Sequence, residues 1–173
     1  MAKTHFELLA HYNKNANELM NKIITSLSDE QWNKQFGGFF TSIHENCSHI
    51  YMWDYNWFKR YTALPRFNGF ADGFFNRPSY TKITFSNITE YINKREELDK
   101  IIIDFINNIT DTDLETTLHY INSKEIASEK RMDGLLTHIF NHQTHHRGMI
   151  SLYLEMLGID NDYSNVLPYV AKS

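Results

Sequence analysis

Hydrophobic residues recur at helical spacing in four long stretches of the chain. Phe6, Leu9, Ala16, Leu19, Ile23 and Leu27 form the first stripe, which predicts an amphipathic helix over about Thr4 to Leu27. Thr4 and Glu7 fit a capping box at its start. Ser28-Asp29-Glu30-Gln31 reads as a stop followed by a short capped turn, and Gly37-Gly38 breaks the chain. The second stripe, Ile43, Ile50, Trp53, Trp57 and Tyr61, predicts a helix from about Thr41 to Tyr61. Asn87 and Glu90 cap a third, to about Asn108, with Tyr91, Leu98, Ile102 and Phe105 inward and Glu90-Lys94 and Glu96-Lys100 as surface pairs. Leu135, Ile139, Ile150, Tyr153 and Leu157 mark a fourth, from about Met132 to a stop at Gly158.

The segments between the helices carry other signals. Periodicity vanishes from Leu64 to Phe85, where Pro65, Gly69, Gly73 and Pro78 punctuate a run bearing Phe67, Phe70, Phe74, Phe75 and Tyr80. A connection this long and aromatic reads as a satellite cluster plugging one end of the core, with a lid over a ligand pocket as the alternative. Leu114 to Arg131 alternates weakly, as an irregular connection or a short hairpin, and the tail after Gly158 is expected to drape over the helices. Four long helices without a set of strands predict an all-α, four-helix bundle forming one domain, residues 1–173.

Composition narrows the functional classes. The 173 residues include 42% apolar and 22% charged side chains, as in a soluble globular domain. A net charge of −4 gives no basic footprint for nucleic acid. Cys47 is the lone cysteine, so no intrachain disulfide forms. No apolar run reaches membrane-spanning length and the N-terminus lacks a signal core, so a cytoplasmic protein is expected.

Four of the nine histidines, His138, His142, His145 and His146, fall in the fourth helix. His142 and His146 occupy the apolar stripe, at the i, i+4 spacing that lets two imidazoles reach one metal ion. The alternative is a pair of core histidines, each of whose ring nitrogens needs a buried partner. A third ligand has to come from elsewhere. On the second helix His49 lies at the stripe edge and is the candidate, whereas His44 projects toward solvent. His5 and His11 read as surface residues and His119 as structural.

His138-Ile139-Phe140-Asn141-His142-Gln143-Thr144-His145-His146-Arg147-Gly148 closely resembles the C-terminal motif of the DinB family. So does Ser42-Ile43-His44, followed by His49-Ile50-Tyr51-Met52-Trp53-Asp54-Tyr55-Asn56-Trp57, and the likeness runs through nearly the whole chain. The resemblance implies a bundle of the DinB/YfiT-like type and one divalent ion held by His49, His142 and His146. Met149 departs from the glutamine that many relatives carry after Arg-Gly. His138, Arg147, Asp54 and Trp53 are candidates for lining the pocket or supporting the ligands; His145 lies off the stripe.

Three neutral imidazoles with an open position suit Zn²⁺, with Ni²⁺, Mn²⁺ or Fe²⁺ as alternatives. The resemblance implies a thiol S-transferase using a low-molecular-weight thiol such as bacillithiol. Metal-dependent hydrolysis is the second reading; it requires a general base, for which Asp54 and Glu45 are weak candidates. A non-catalytic, stress-related metal-binding protein is the third. Arg147 reads as a surface salt-bridge residue, with an anionic group of the cosubstrate as its alternative partner. The family implies a homodimer, for which Phe58 and Phe140 are the exposed aromatics on offer.

Overall fold

The computed structural model of the chain describes residues 2–76, 78–79, 81–122 and 124–170. It is mostly helical. Four long helices, α1 (Ala2–Ile24), α3 (Ile43–Thr62), α4 (Ile88–Asn108) and α6 (Met132–Met156), are joined by two short ones, α2 (Asp29–Asn33) between α1 and α3 and α5 (Asp111–Leu114) between α4 and α6. α1 packs on α4 and α6, and α3 packs on the same two. Each long helix turns its apolar stripe inward: Met20 and Ile24 from α1, Ile43, Ile50 and Phe58 from α3, Leu98, Ile102 and Phe105 from α4, and Leu136, Ile139 and Ile150 from α6 are all buried. No helix among the described residues is long and apolar enough to cross a membrane.

Local chemistry sets the boundaries. The Ser28 side chain accepts from the Gln31 N–H and the Gln31 side chain accepts from the Ser28 N–H, a complete capping box on α2. Ser42 caps α3 through the Glu45 N–H and Asn87 caps α4 through the Glu90 N–H. The Glu90 carboxylate reaches back one residue further than expected, to the Ser86 N–H at 2.7 Å. Lys94 pairs with Glu97 at 3.3 Å instead of Glu90. α1 begins at Ala2, so Thr4 lies within its first turn and does not cap it, and the helix ends at Ile24. Leu27 remains buried beyond the end. At the far end of α6, Gly158 takes φ +73°, and Ile159 N–H returns to Leu154 C=O at 3.0 Å.

The 115–131 connection contains an antiparallel hairpin, β1 (Thr117–Ile121) and β2 (Ala127–Arg131), with Thr117 opposite Arg131 and Ile121 opposite Ala127. It feeds directly into α6. In the aromatic connection, Phe67, Phe75 and Phe85 are buried. Their rings meet Phe105, Tyr55 and Tyr51 at centroid distances of 4.7, 5.2 and 5.3 Å. Those partners are core side chains of α3 and α4. Tyr80 lies outside the described residues. The tail crosses α6: buried Tyr163 donates to the Arg147 carbonyl at 2.9 Å, and the Ser164 carbonyl accepts from Tyr12 on α1 at 3.1 Å. Phe58 and Phe140, offered above as exposed dimer contacts, are 0% and 5% exposed and belong to the core.

Candidate metal centre

Register on two facing helices creates the cluster. His49 stands with Ile43, Asn46 and Ile50 on the inward side of α3, and His142 and His146 stand one turn apart on α6. One ligand-type atom from each of the three rings lies within 4.8 Å of the other two. His49 Nε2 and His142 Nε2 are 3.1 Å apart. Two nitrogens on one tetrahedral zinc, each about 2.05 Å from it, would be about 3.3 Å apart. The cluster therefore has the donor type and spacing to hold a divalent ion.

The rings are prepared for that role. Burial first, then the neighbouring imidazoles, push His49 and His146 down to about 4 and His142 to about 3. All three are neutral at pH 7, the form in which imidazole donates a lone pair. His146, 5% exposed, also has a fixed tautomer. Its Nδ1 lies 3.1 Å from Asn46 Oδ1. The fully buried Asn46 amide is itself oriented, because Nδ2 donates to the carbonyls of Ser42 at 3.1 Å and Phe40 at 3.4 Å. Its oxygen must then face His146 and can only accept, so Nδ1 carries the proton and Nε2 keeps the free pair.

Aromatic rings flank the cluster. Phe40 lies 4.1 Å from His49 and 5.3 Å from His146, centroid to centroid. Trp53 is 5.9 Å from His49 and 5.6 Å from His142. Phe40 arrives on the strap between α2 and α3. Tyr153 of α6 pins that strap by donating to the Phe40 carbonyl at 2.8 Å. Gly38 makes the approach possible, since a Cβ there would collide with the Tyr153 hydroxyl. Exposed His138 stands at the rim, 6.0 Å from His142 and 6.3 Å from Trp57. His145 is exposed beside His146, with ring centroids 5.0 Å apart.

Several expected roles change. His44 is not solvated: its ring stacks on Trp32 at 5.0 Å, Nδ1 meets Asn33 Oδ1 at 2.9 Å, and Nε2 accepts the Phe85 N–H at 3.2 Å. Glu45 is tied to Thr41, accepting from its N–H at 2.7 Å and its hydroxyl at 2.8 Å. Asp54 is not solvated. It is 1% exposed and accepts from Arg95 Nη1 at 2.8 Å, while Arg95 Nη2 donates to Asp99 at 2.7 Å. Asn17 joins Asp99 to Arg147, which is 2% exposed and so cannot serve as a surface salt-bridge residue. This polar chain links α3, α4, α1 and α6 through the core. Burial opposes the Arg95 charge, but Asp99 and Asp54 more than offset it and hold the guanidinium ionised. Burial raises Asp99 to about 6 against the pull of Arg95.

Asn46, Phe40, Arg95 and Asp99 were missed from sequence. Asn46 alone had a usable signal, a polar residue on the inward stripe between Ile43 and Ile50, one turn before His49. Curated proteins provide no match to the chain. The DinB family model matches residues 1–170, nearly the full length and including both helices that carry the histidine cluster, and the chain belongs to the DinB family.

Proposed function

We propose that this DinB protein is a metal-dependent thiol S-transferase, in which His49, His142 and His146, on helices packed as a four-helix bundle, hold one divalent cation, Zn²⁺ or Ni²⁺ foremost. A cation bound there supplies Lewis acidity and keeps a low-molecular-weight thiol such as bacillithiol ionised at neutral pH. The observation that carries this reading is the number of donors: among the described residues, no fourth His, Cys, Asp or Glu joins the three. Structural zinc sites use four protein ligands, whereas three leave room for an exogenous one.

The chain's own groups divide the remaining work. Asn46 holds His146 in the Nε2-donating tautomer. Phe40 and Trp53 shield the cluster from bulk water on two sides. His138, the exposed imidazole nearest His142, takes the proton that the incoming thiol loses onto a ring nitrogen. Hydrolysis is the weaker reading because both carboxylates considered as its base are engaged elsewhere, Asp54 with Arg95 and Glu45 with Thr41. A cytoplasmic thiol pool would provide the cosubstrate.

Elemental analysis of untagged protein, beside the His49→Ala, His142→Ala and His146→Ala variants, tests the ligand set. Each variant is expected to lose the bound ion; full occupancy in all three overturns the assignment. Conjugation of thiol to monochlorobimane, abolished by chelation, is the expected activity. Thiol-independent cleavage of esters or amides would instead establish the hydrolase.

A further inference from the structure

Arg147 differs from the other interior guanidinium in what it touches. Arg95 sits between two carboxylates, but the groups bonded to Arg147 are neutral oxygens. Nη1 donates to the amide oxygens of Asn13 and Asn17, the latter at 3.2 Å, and Nη2 reaches Thr144 Oγ at a long 3.4 Å. Asn17 passes the contact on to Asp99, at 3.1 Å to each oxygen, but that carboxylate is already bonded to Arg95. A buried cation ordinarily rests directly on an anion.

A cavity of about 230 Å³ lies against this guanidinium, between α1 and α6. Arg147, Asn13, Tyr12 and Thr144 give it a polar wall, and Leu9 and Phe140 an apolar one. No Asp or Glu lines it, although the chain as a whole is acidic. At 100° per residue, Phe140, Thr144 and Arg147 occupy the side of α6 away from His142 and His146, so this cavity is separate from the histidine cluster.

We propose that the cavity is a binding site for a small monocarboxylate. The carboxylate oxygens replace the weak Thr144 contact at Arg147 Nη2 and take a hydrogen bond from the Asn13 amide. A short alkyl chain lies against Leu9 and Phe140. The volume falls below the roughly 300 Å³ at which ordinary ligand pockets begin, which limits the occupant to a few carbons. Inorganic phosphate shares the charge but has nothing to offer the apolar wall.

Calorimetric titration of the metal-free, full-length protein with butyrate, butyramide and inorganic phosphate, at constant ionic strength, tests the site. Butyrate is expected to bind saturably, and its neutral isostere at least about tenfold more weakly, because the charge-assisted bond is lost. Asn13→Asp places a permanent carboxylate on Arg147 while keeping the side-chain shape, and Leu9→Trp fills the cavity. Each is expected to weaken butyrate by about tenfold or more, with far-ultraviolet circular dichroism confirming that the variant is folded. The proposal is overturned if butyrate gives no saturable heat at millimolar concentration, if butyramide or phosphate binds as tightly, or if folded Asn13→Asp binds butyrate as the wild type does.

Discussion

Replacing Asn46 by leucine isolates the one hydrogen bond that fixes a metal-site ring. The substitution keeps the branching and the number of side-chain heavy atoms in a fully buried position. The carbonyls it abandons keep other donors: Ser42 C=O still accepts the backbone N–H of residue 46 at 3.2 Å, and Phe40 C=O still accepts the Tyr153 hydroxyl. The uncompensated loss is therefore the acceptor opposite His146 Nδ1–H. Leaving that donor without a partner costs about 1–3 kcal/mol, which the ring can relieve by rotating or by moving its proton to Nε2. Either response spoils ligation. Removal of such an outer partner lowers metal affinity about 10- to 100-fold, equivalent to about 1.4–2.7 kcal/mol. Competition of the protein with a chromophoric chelator for Zn²⁺ measures the loss. Two-bond ¹H–¹⁵N spectra of the metal-free protein should report His146 protonated on Nδ1 in the wild type and a mixed population in Asn46→Leu. Asn46→Asp restores an acceptor and is expected to hold zinc within about threefold of wild type. Unchanged affinity and an unchanged tautomer in Asn46→Leu would refute the role given to this amide.

Three further outcomes are expected. Arg95→Leu strands Asp54 and Asp99 in the core and should destabilise the protein by about 3–5 kcal/mol in urea unfolding, a loss well beyond that of an exposed arginine. Asp99, raised to about 6 from an unfolded value of 3.8, binds more proton in the folded than in the unfolded chain between those limits. Its contribution to stability is thus full below about pH 4 and declines as pH rises through 6, so Asp99→Asn should flatten the urea midpoint against pH in that window; parallel curves would count against it. His138→Gln should lower thiol transfer about 10- to 100-fold while zinc content stays at the wild-type level, because the residue is assigned to the proton and not to the ion.

The four long helices were legible because each buries a stripe with a fixed local period, and the Asn87 cap announced the start of α4. His142 and His146 were legible for the same reason: their spacing is a property of one helix. His49 is 93 residues from His142, and choosing it over His44 rested on its place at the edge of the apolar stripe and on the family motif. Pairings between elements left no such trace. Asp54 and Arg95 stand 41 positions apart, and each alone resembles a solvated charge. Arg147 was misplaced on the surface because its partners, Asn13 and Asn17, belong to a helix more than a hundred residues upstream. His44 was misjudged because the groups that cover it, Trp32 and the Phe85 N–H, come from a short helix and from the end of an aperiodic connection.

Tyr153 shares one continuous helix with His142 and His146, so α6 supplies both two walls of the histidine chamber and the peg that holds the Phe40 roof over it. The roof is tied to both helices, because the Phe40 carbonyl also accepts from Asn46 of α3. Sliding of α3 against α6 changes the chamber, because His49 rides on α3 and the other two imidazoles on α6. The seam between those two helices is therefore the hinge line of the chamber, and a ligand too bulky for it would pry His49 away while leaving the α6 pair in place.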